Sequence, residues 1–386
     1  MMETATTRLY DDIRPLLDSE VPETIAQLLS DEYFKRTVES FIKPVAWEQF
    51  AATLSSCKTK EDFQRSIIYP LMKHLIGKTT VEMKGTDWEK IENGKSYLFI
   101  SNHRDIVLDA AFFNILMFDK VRPTTEIAIG DNLLIYPWIE KLVRINKSFI
   151  VKRGVSVRQM LEVSKHLSDY IHDTVTNRNQ SVWIAQREGR AKDSDDKTQV
   201  SLLKMLTLHN SNHPLETLRE LNIIPLSISY EIDPCDYLKA KEYQLKRDNP
   251  HYKKSNTDDI ENMTVGITGN KGRVNFHFGN SINTAISYIS ADSGRKEKLE
   301  KVASIIDQEI YRNYTFFPFN YVAYDMMTGT RKFAAEYTDE DRQQFEDYLS
   351  AQIEKIDIPA RDDDYLREKM TEMYGNTVRN NLATLS

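Results

Sequence analysis

Cysteine is almost missing from this chain: two in 386 residues, Cys57 and Cys235, in contexts unlike a metal or redox pair. That excludes a disulfide scaffold and a thiolate metal cluster, and it fits a reducing, cytosolic setting. No stretch approaches the ~18 consecutive apolar residues of a spanning helix. "AAFFNILMF" (110–118) comes nearest and is too short, so any membrane contact is expected to be peripheral. The opening "MMETATTRLYDDIRPLL" has no basic region leading into an apolar core, and no secretory signal is expected. Excess positive charge is lacking too. A net charge of -7 and a pI near 5.7 argue against a nucleic-acid partner held by overall basicity. There is no Gly-x-Ser-x-Gly elbow and no cysteine with a plausible base, so a covalent nucleophile is not expected.

What remains is an ordinary globular balance, 40% hydrophobic and 28% charged, in a chain too long for one minimal domain. Residues 1–80 read as helices: "VPETIAQLLSDEYFKRTVESFI" and "KEDFQRSIIYPLMKHLI" repeat apolar residues at three- and four-residue intervals, with Thr24, Asp31 and Thr59 near starts. From 81 to 290 short β-like runs alternate with amphipathic segments. The runs are "SYLFI", "TEIAIG", "KSFIVK", "QSVWIAQ" and "NIIPLSISY". Such alternation implies an α/β fold, a mostly parallel or mixed central sheet flanked by helices. "MTVGITGNKGRVNFHFG" (263–279) reads as a hairpin about Asn270-Lys271-Gly272. Residues 291–386 read as a C-terminal helical extension. Over 336–386 acids outnumber bases 13 to 6, best explained by solvated helix faces.

The most informative stretch is "SNHRDIVLDAAFFN" (101–114). His-Arg-Asp also opens a protein-kinase catalytic loop, but that loop needs Asn five residues after its Asp. Ala110 stands there, and neither Asp-Phe-Gly nor a glycine-rich phosphate loop with a strand lysine is present. A histidine leaving the C-terminal end of a buried strand sits where open α/β sheets place ligands. There it can take a proton from an attacking hydroxyl, with a carboxylate fixing its tautomer. Two carboxylates compete, Asp105 and Asp109. If the segment were helical from His103 on, Asp109 would lie about 120° off the histidine's face, and Asp105 could cap the helix start.

A second feature is the cationic stretch "KLVRINKSFIVKRGVSVR" (141–158), which holds six Lys or Arg residues and no acid on an acidic chain. That reversal suits an anionic ligand, for which arginine offers forked hydrogen bonds and lysine a compact charge.

In these residues the chain resembles the glycerolipid acyltransferase family across about 95–282. Asn102-His103 with Asp109 is similar to the family's first block, one residue longer in its His-to-Asp spacing. "SFIVKR" with Arg153 resembles the second. "REGRAKD", with Glu188, Gly189, Arg190 and Lys192, resembles the third but lacks a residue between glycine and arginine. "IIPLSIS" with Pro225 resembles the fourth. The resemblance implies an O-acyltransferase of phospholipid biosynthesis. It would move a fatty acyl group from acyl-coenzyme A or acyl-carrier protein to glycerol-3-phosphate or lysophosphatidate, with no cofactor and no metal. His103 would be general base, Asp109 (or Asp105) its partner, and Arg153, Arg190, Lys192 and Lys152 the phosphate ligands. Glu188 and Gly189 would meet the acceptor, and Pro225 would be structural.

Two other readings use the same residues: an amine or non-phosphorylated lipid acceptor, and a non-catalytic lipid- or acyl-carrier-binding protein. Elsewhere, "HNSNH" (His209, His213) reads as a loop rather than a metal site, and the aromatic run 314–327, Trp138 and Trp183 read as core.

Overall fold

The computed structural model describes residues 9–42 and 45–385, so the first eight residues, on which part of the leader reading rests, lie outside the described residues. The described residues open with a set of helices whose longer members are α1 (Val21–Leu29), α2 (Glu32–Phe41), α3 (Trp47–Ser56) and α4 (Tyr69–Thr79). Asp31 caps α2 by accepting from the amides of Tyr33 and Phe34, and Thr59 caps a short turn before α4. Thr24 is not a cap: it lies inside α1 and its hydroxyl donates to the Glu20 carbonyl. Val21, Ile25, Leu28, Phe34, Leu54, Phe63 and Ile67 form a small core of their own, closed by Ile145, Trp138 and Leu142 of a later helix.

Seven strands follow: β1 (Glu82–Thr86), β2 (Leu98–Ser101), β3 (Glu126–Gly130), β4 (Ser148–Val151), β5 (Val182–Ala185), β6 (Ile224–Tyr230) and β7 (Arg273–Phe278). They form one sheet in the order β1-β7-β6-β2-β5-β3-β4. Every neighbouring pair is parallel except β6 and β7. The fold is therefore α/β, with a mixed sheet flanked by helices. Strands β2 and β6 are buried along their whole length, hence their near-continuous apolar runs.

The connections are α5 (Leu108–Asp119), α6 (Pro137–Ile145), α7 (Val157–His172) and α8 (Val200–Leu206). Side chains alternate across β2. Leu98 and Ile100 join a core with Phe149, Tyr170, Ile171 and Leu203 on one face. Phe99 packs with Phe112, Phe113, Phe276 and Phe278 on the other. Helix α5 is apolar nearly all round because it is buried nearly all round. No helix among the described residues is long and apolar enough to cross a membrane.

After β6 come α9 (Asp236–Asp248) and α10 (Asn256–Thr268). The expected hairpin at 263–279 is thus half wrong. Ser255 and Asp258 form a capping box that starts a helix running to Thr268, and only 273–278 is a strand. The antiparallel partner of β7 is β6, not an adjacent arm. Alternation of Val265 and Ile267 looked like a strand because a short apolar run carries little periodicity.

Four helices complete the chain: α11 (Arg295–Arg312), α12 (Pro318–Thr328), α13 (Asp339–Ile353) and α14 (Asp363–Ala383). Helix α11 packs Leu299, Val302, Ile306 and Ile310 into the sheet's core. The other three enclose a separate core with Ala240 of α9.

Candidate active site

The C-terminal ends of β2, β3, β4, β5 and β6 point to one edge of the sheet. His103 leaves β2 there. The residue before it is bolted down: the Asn102 side chain donates to the Ile228 carbonyl at 2.9 Å and accepts from the Ile228 amide at 2.8 Å. That amide group supplies both halves of a backbone pairing, so the turn after β2 is tied to β6 and His103 is aimed with little freedom. Its ring meets Trp183 of β5 edge-on, centroids 6.0 Å apart.

His103 Nδ1 lies 2.8 Å from Asp109 Oδ2, with the histidine side chain 13% exposed and the aspartate fully buried. The same oxygen accepts from the amides of Arg104 (2.7 Å) and Asp105 (3.1 Å). Asp105 does other work. Its Oδ1 accepts from the Val107 and Leu108 amides, both at 2.8 Å, and so starts α5. Burial, and then Asp109, push the Asp105 carboxyl above its usual range. The phase argument from an ideal helix does not apply, because α5 begins only at Leu108 and the non-helical path of residues 102–107 lets the pair meet. Gly266 of α10 closes over this loop. A Cβ there would stand 2.1 Å from Asp105 Oδ2, so only glycine lets the helix come so near.

Beneath the loop lies a buried polar network that no sequence pattern announces. Arg104 is paired through both terminal nitrogens with Asp196, at 2.5 and 3.3 Å, and Asp196 also accepts from the Tyr314 hydroxyl at 2.6 Å. Lys239, fully buried, donates to the Arg104 carbonyl and pairs with Asp233. Arg104 and Asp196 are 92 residues apart, and no periodicity marks a charged residue as buried. The only local signal was the position of Arg104 beside His103.

The expected anion-binding residues are scattered along the same edge. Arg153 follows β4 and reaches back to Glu188 after β5, 3.2 Å away, with both side chains substantially exposed. Its guanidinium crosses Gly130, where a Cβ would sit 2.8 Å from Nε. Arg190 donates to Asn262 of α10 at 2.7 Å, while its Nη1 is buried without a partner. Gly189 between them adopts φ +68 with open space around it.

The two lysines are engaged elsewhere. Lys152 pairs with Asp12 of the N-terminal segment, and Lys192 with Glu242 of α9 at 2.5 Å, where Lys246 also bonds. Neither presents a free ammonium. Pro225 sits inside β6 beside Ile100, its carbonyl accepting from Gly279. Among the described residues no three His, Cys, Asp or Glu converge as a metal set. His209 instead stacks on His172, with ring centroids 4.4 Å apart.

A histidine held by a buried carboxylate at a partly open sheet edge, with arginines nearby, can accept a proton from an incoming hydroxyl and return it to a leaving group. Comparison with known proteins bears on which reaction this is. No curated protein matches the chain. Among solved structures, it is similar to "the 1-acyl-sn-glycerophosphate (LPA) acyltransferase, PlsC, from Thermotoga maritima", with 13% identity and a TM-score of 0.34, over 75% of this chain and 92% of that one. Residues 82–220, which carry His103, Asp109, Arg153, Glu188 and Arg190, match the family model described as Acyltransferase. Over residues 82–220 the chain therefore carries an acyltransferase domain.

Proposed function

We propose that the chain transfers a fatty acyl group from a thioester donor, acyl-coenzyme A or acyl-carrier protein, to a hydroxyl of a glycerol-3-phosphate-type acceptor, glycerol-3-phosphate or lysophosphatidate. The observation that carries this is the 2.8 Å contact of His103 Nδ1 with buried Asp109, which commits Nδ1–H and leaves Nε2 as the base. The acceptor O–H gives its proton to Nε2 as its oxygen bonds to the thioester carbonyl carbon. Asp109 stabilises the imidazolium. The tetrahedral intermediate collapses with cleavage of the C–S bond, and Nε2 protonates the departing thiolate, giving an ester and a free thiol. No acyl-enzyme, metal or cofactor enters these steps.

Arg153 and Arg190 are the phosphate ligands in this reading. Arg153 would exchange its exposed partner Glu188 for the acceptor, and Arg190 would use its unpartnered Nη1. Exchange costs little where both partners are solvated. Glu188, once released, is placed to bond acceptor hydroxyls near Gly189. Lys152 and Lys192 tune the local charge from their ion pairs with Asp12 and Glu242 rather than touching the acceptor. Membrane contact in this reading is peripheral. Val157, Met160 and Leu161, exposed on the first turns of α7 next to Arg158, would meet the lipid surface.

A second reading has one observation in its favour. Lys152, Arg153 and Lys192 all have carboxylate partners within this chain, so a non-phosphorylated or amine acceptor would find the charges already balanced. Thiol release measured with both donors against a panel of phosphorylated and neutral acceptors separates the two. His103→Ala should abolish release with every acceptor, and Arg153→Ala or Arg190→Ala should raise acceptor KM about tenfold or more. Turnover that survives His103→Ala sinks the mechanism. Turnover indifferent to both arginines moves the acceptor to the neutral class. Donor binding without any thiol release would point to a carrier-binding protein.

A further inference from the structure

The second oxygen of Asp109 is unaccounted for. Oδ2 takes three donors, from His103, Arg104 and Asp105, whereas Oδ1 is buried and has no hydrogen-bond partner. An orphaned carboxylate oxygen in the interior is costly and usually has a donor waiting. One is adjacent. Tyr230 ends β6, two residues beyond the Ile228 that clamps Asn102, and is itself buried. Its hydroxyl is also orphaned, and the Asp109 carboxylate acts directly on it. The ring is held from behind by Phe112, with centroids 6.5 Å apart.

The charged groups facing the hydroxyl are Asp109, Asp105 and Asp233, and Arg104 lines the same small polar cavity with Tyr314 and Tyr374. Burial first, and then these carboxylates, push the Tyr230 hydroxyl well above the ordinary tyrosine range. It therefore stays an O–H, able to donate, at any working pH.

We propose that Tyr230 donates a hydrogen bond to Asp109 Oδ1 and is a positioning residue for the base, extending the pair to His103–Asp109–Tyr230. This rests on the reading of His103 as general base. With both oxygens held, the carboxylate plane is fixed and Oδ2 stays on Nδ1. The phenol also takes up part of the carboxylate's charge, which limits how strongly Asp109 favours the imidazolium before substrate arrives. Tyr230 touches no reacting atom and acts only through Asp109.

The test is Tyr230→Phe, which keeps the ring and its packing. Loss of one hydrogen bond to a charged group should lower kcat about 10- to 100-fold with acceptor KM unchanged. The acid limb of the kcat/KM profile should move to higher pH, and the downfield Nδ1 proton resonance of His103 should shift. Tyr230→Leu should lose as much kcat and also lower Tm, so a fold defect can be told apart. Unchanged kcat, acid limb and resonance in Tyr230→Phe overturn the proposal, as does a fall in Tm with the pH profile and resonance unmoved. His103→Ala in the same assay keeps the two ideas separate. If it is inactive while Tyr230→Phe is normal, only the role of Tyr230 fails; if it is active, the general-base reading fails.

Discussion

Two aspartates beside one histidine divide the labour, and single substitutions should separate them. Asp109→Asn would present an amide that cannot hold the Nδ1–H tautomer, so kcat should fall by about 10³–10⁴ with Tm nearly unchanged. Asp105→Ala should do the reverse: kcat within about tenfold of the parent, and a loss of about 0.5–2 kcal/mol of stability from the freed Val107 and Leu108 amides. Steady-state kinetics and thermal melts on both variants check this. The histidine and both acids were legible from the motif alone, because one short stretch carries them. Tyr230 and Asp196 were not. Each lies about 90 or more residues from the loop it supports, and a polar residue destined for burial has the same spelling as one destined for water.

At the scale of elements, the strands were readable from their apolar runs, and the helices from their three- and four-residue spacing. Helix α10 was the failure, and the reason is physical. Its capping box lies at Ser255 and Asp258, ahead of the segment that looked like a strand, and its apolar residues are too few to declare a period. Gly266 shows why that helix matters. An alanine in a helix interior ordinarily gains about 1 kcal/mol over glycine. Here the added Cβ would strike Asp105 Oδ2 at 2.1 Å, against a carboxylate already fixed by two backbone amides. Gly266→Ala should therefore destabilise, by about 1–3 kcal/mol in denaturant melts, and should also disturb the Arg190–Asn262 contact. A gain in stability would mean that α10 does not press on the loop.

For the whole molecule, the architecture followed from strand–helix alternation, whereas the strand order did not, since pairing is decided by contacts far apart in sequence. One prediction belongs to this scale. His172 is buried with both ring nitrogens unpartnered, stacked on His209 and 3.9 Å from Glu220. Burial, then His209, lower its pKa to about 4 from the ordinary 6.5. The unfolded chain then takes up a proton that the folded chain refuses. Stability is complete above pH 6.5 and declines as pH falls towards 4, by about 3 kcal/mol from this one group. His172→Phe should melt like the parent at pH 8 and lose about 3 kcal/mol less between pH 7 and pH 4. Parallel acid losses in the two proteins would assign the acid sensitivity elsewhere.

The floor under the histidine loop is built from late sequence. Asp196 and Lys239 hold Arg104, Tyr314 holds Asp196, and Tyr374 donates to Asp236 next to that cluster. During synthesis, then, the sheet strands that bear His103 emerge well before the residues that neutralise the ground it stands on. A growing polypeptide would carry an unmatched guanidinium beside its base until Asp196 emerges, and Asp196 would lack the Tyr314 hydroxyl until the segment after α11 leaves the ribosome. Activity should switch on near the end of translation rather than accumulate with chain length.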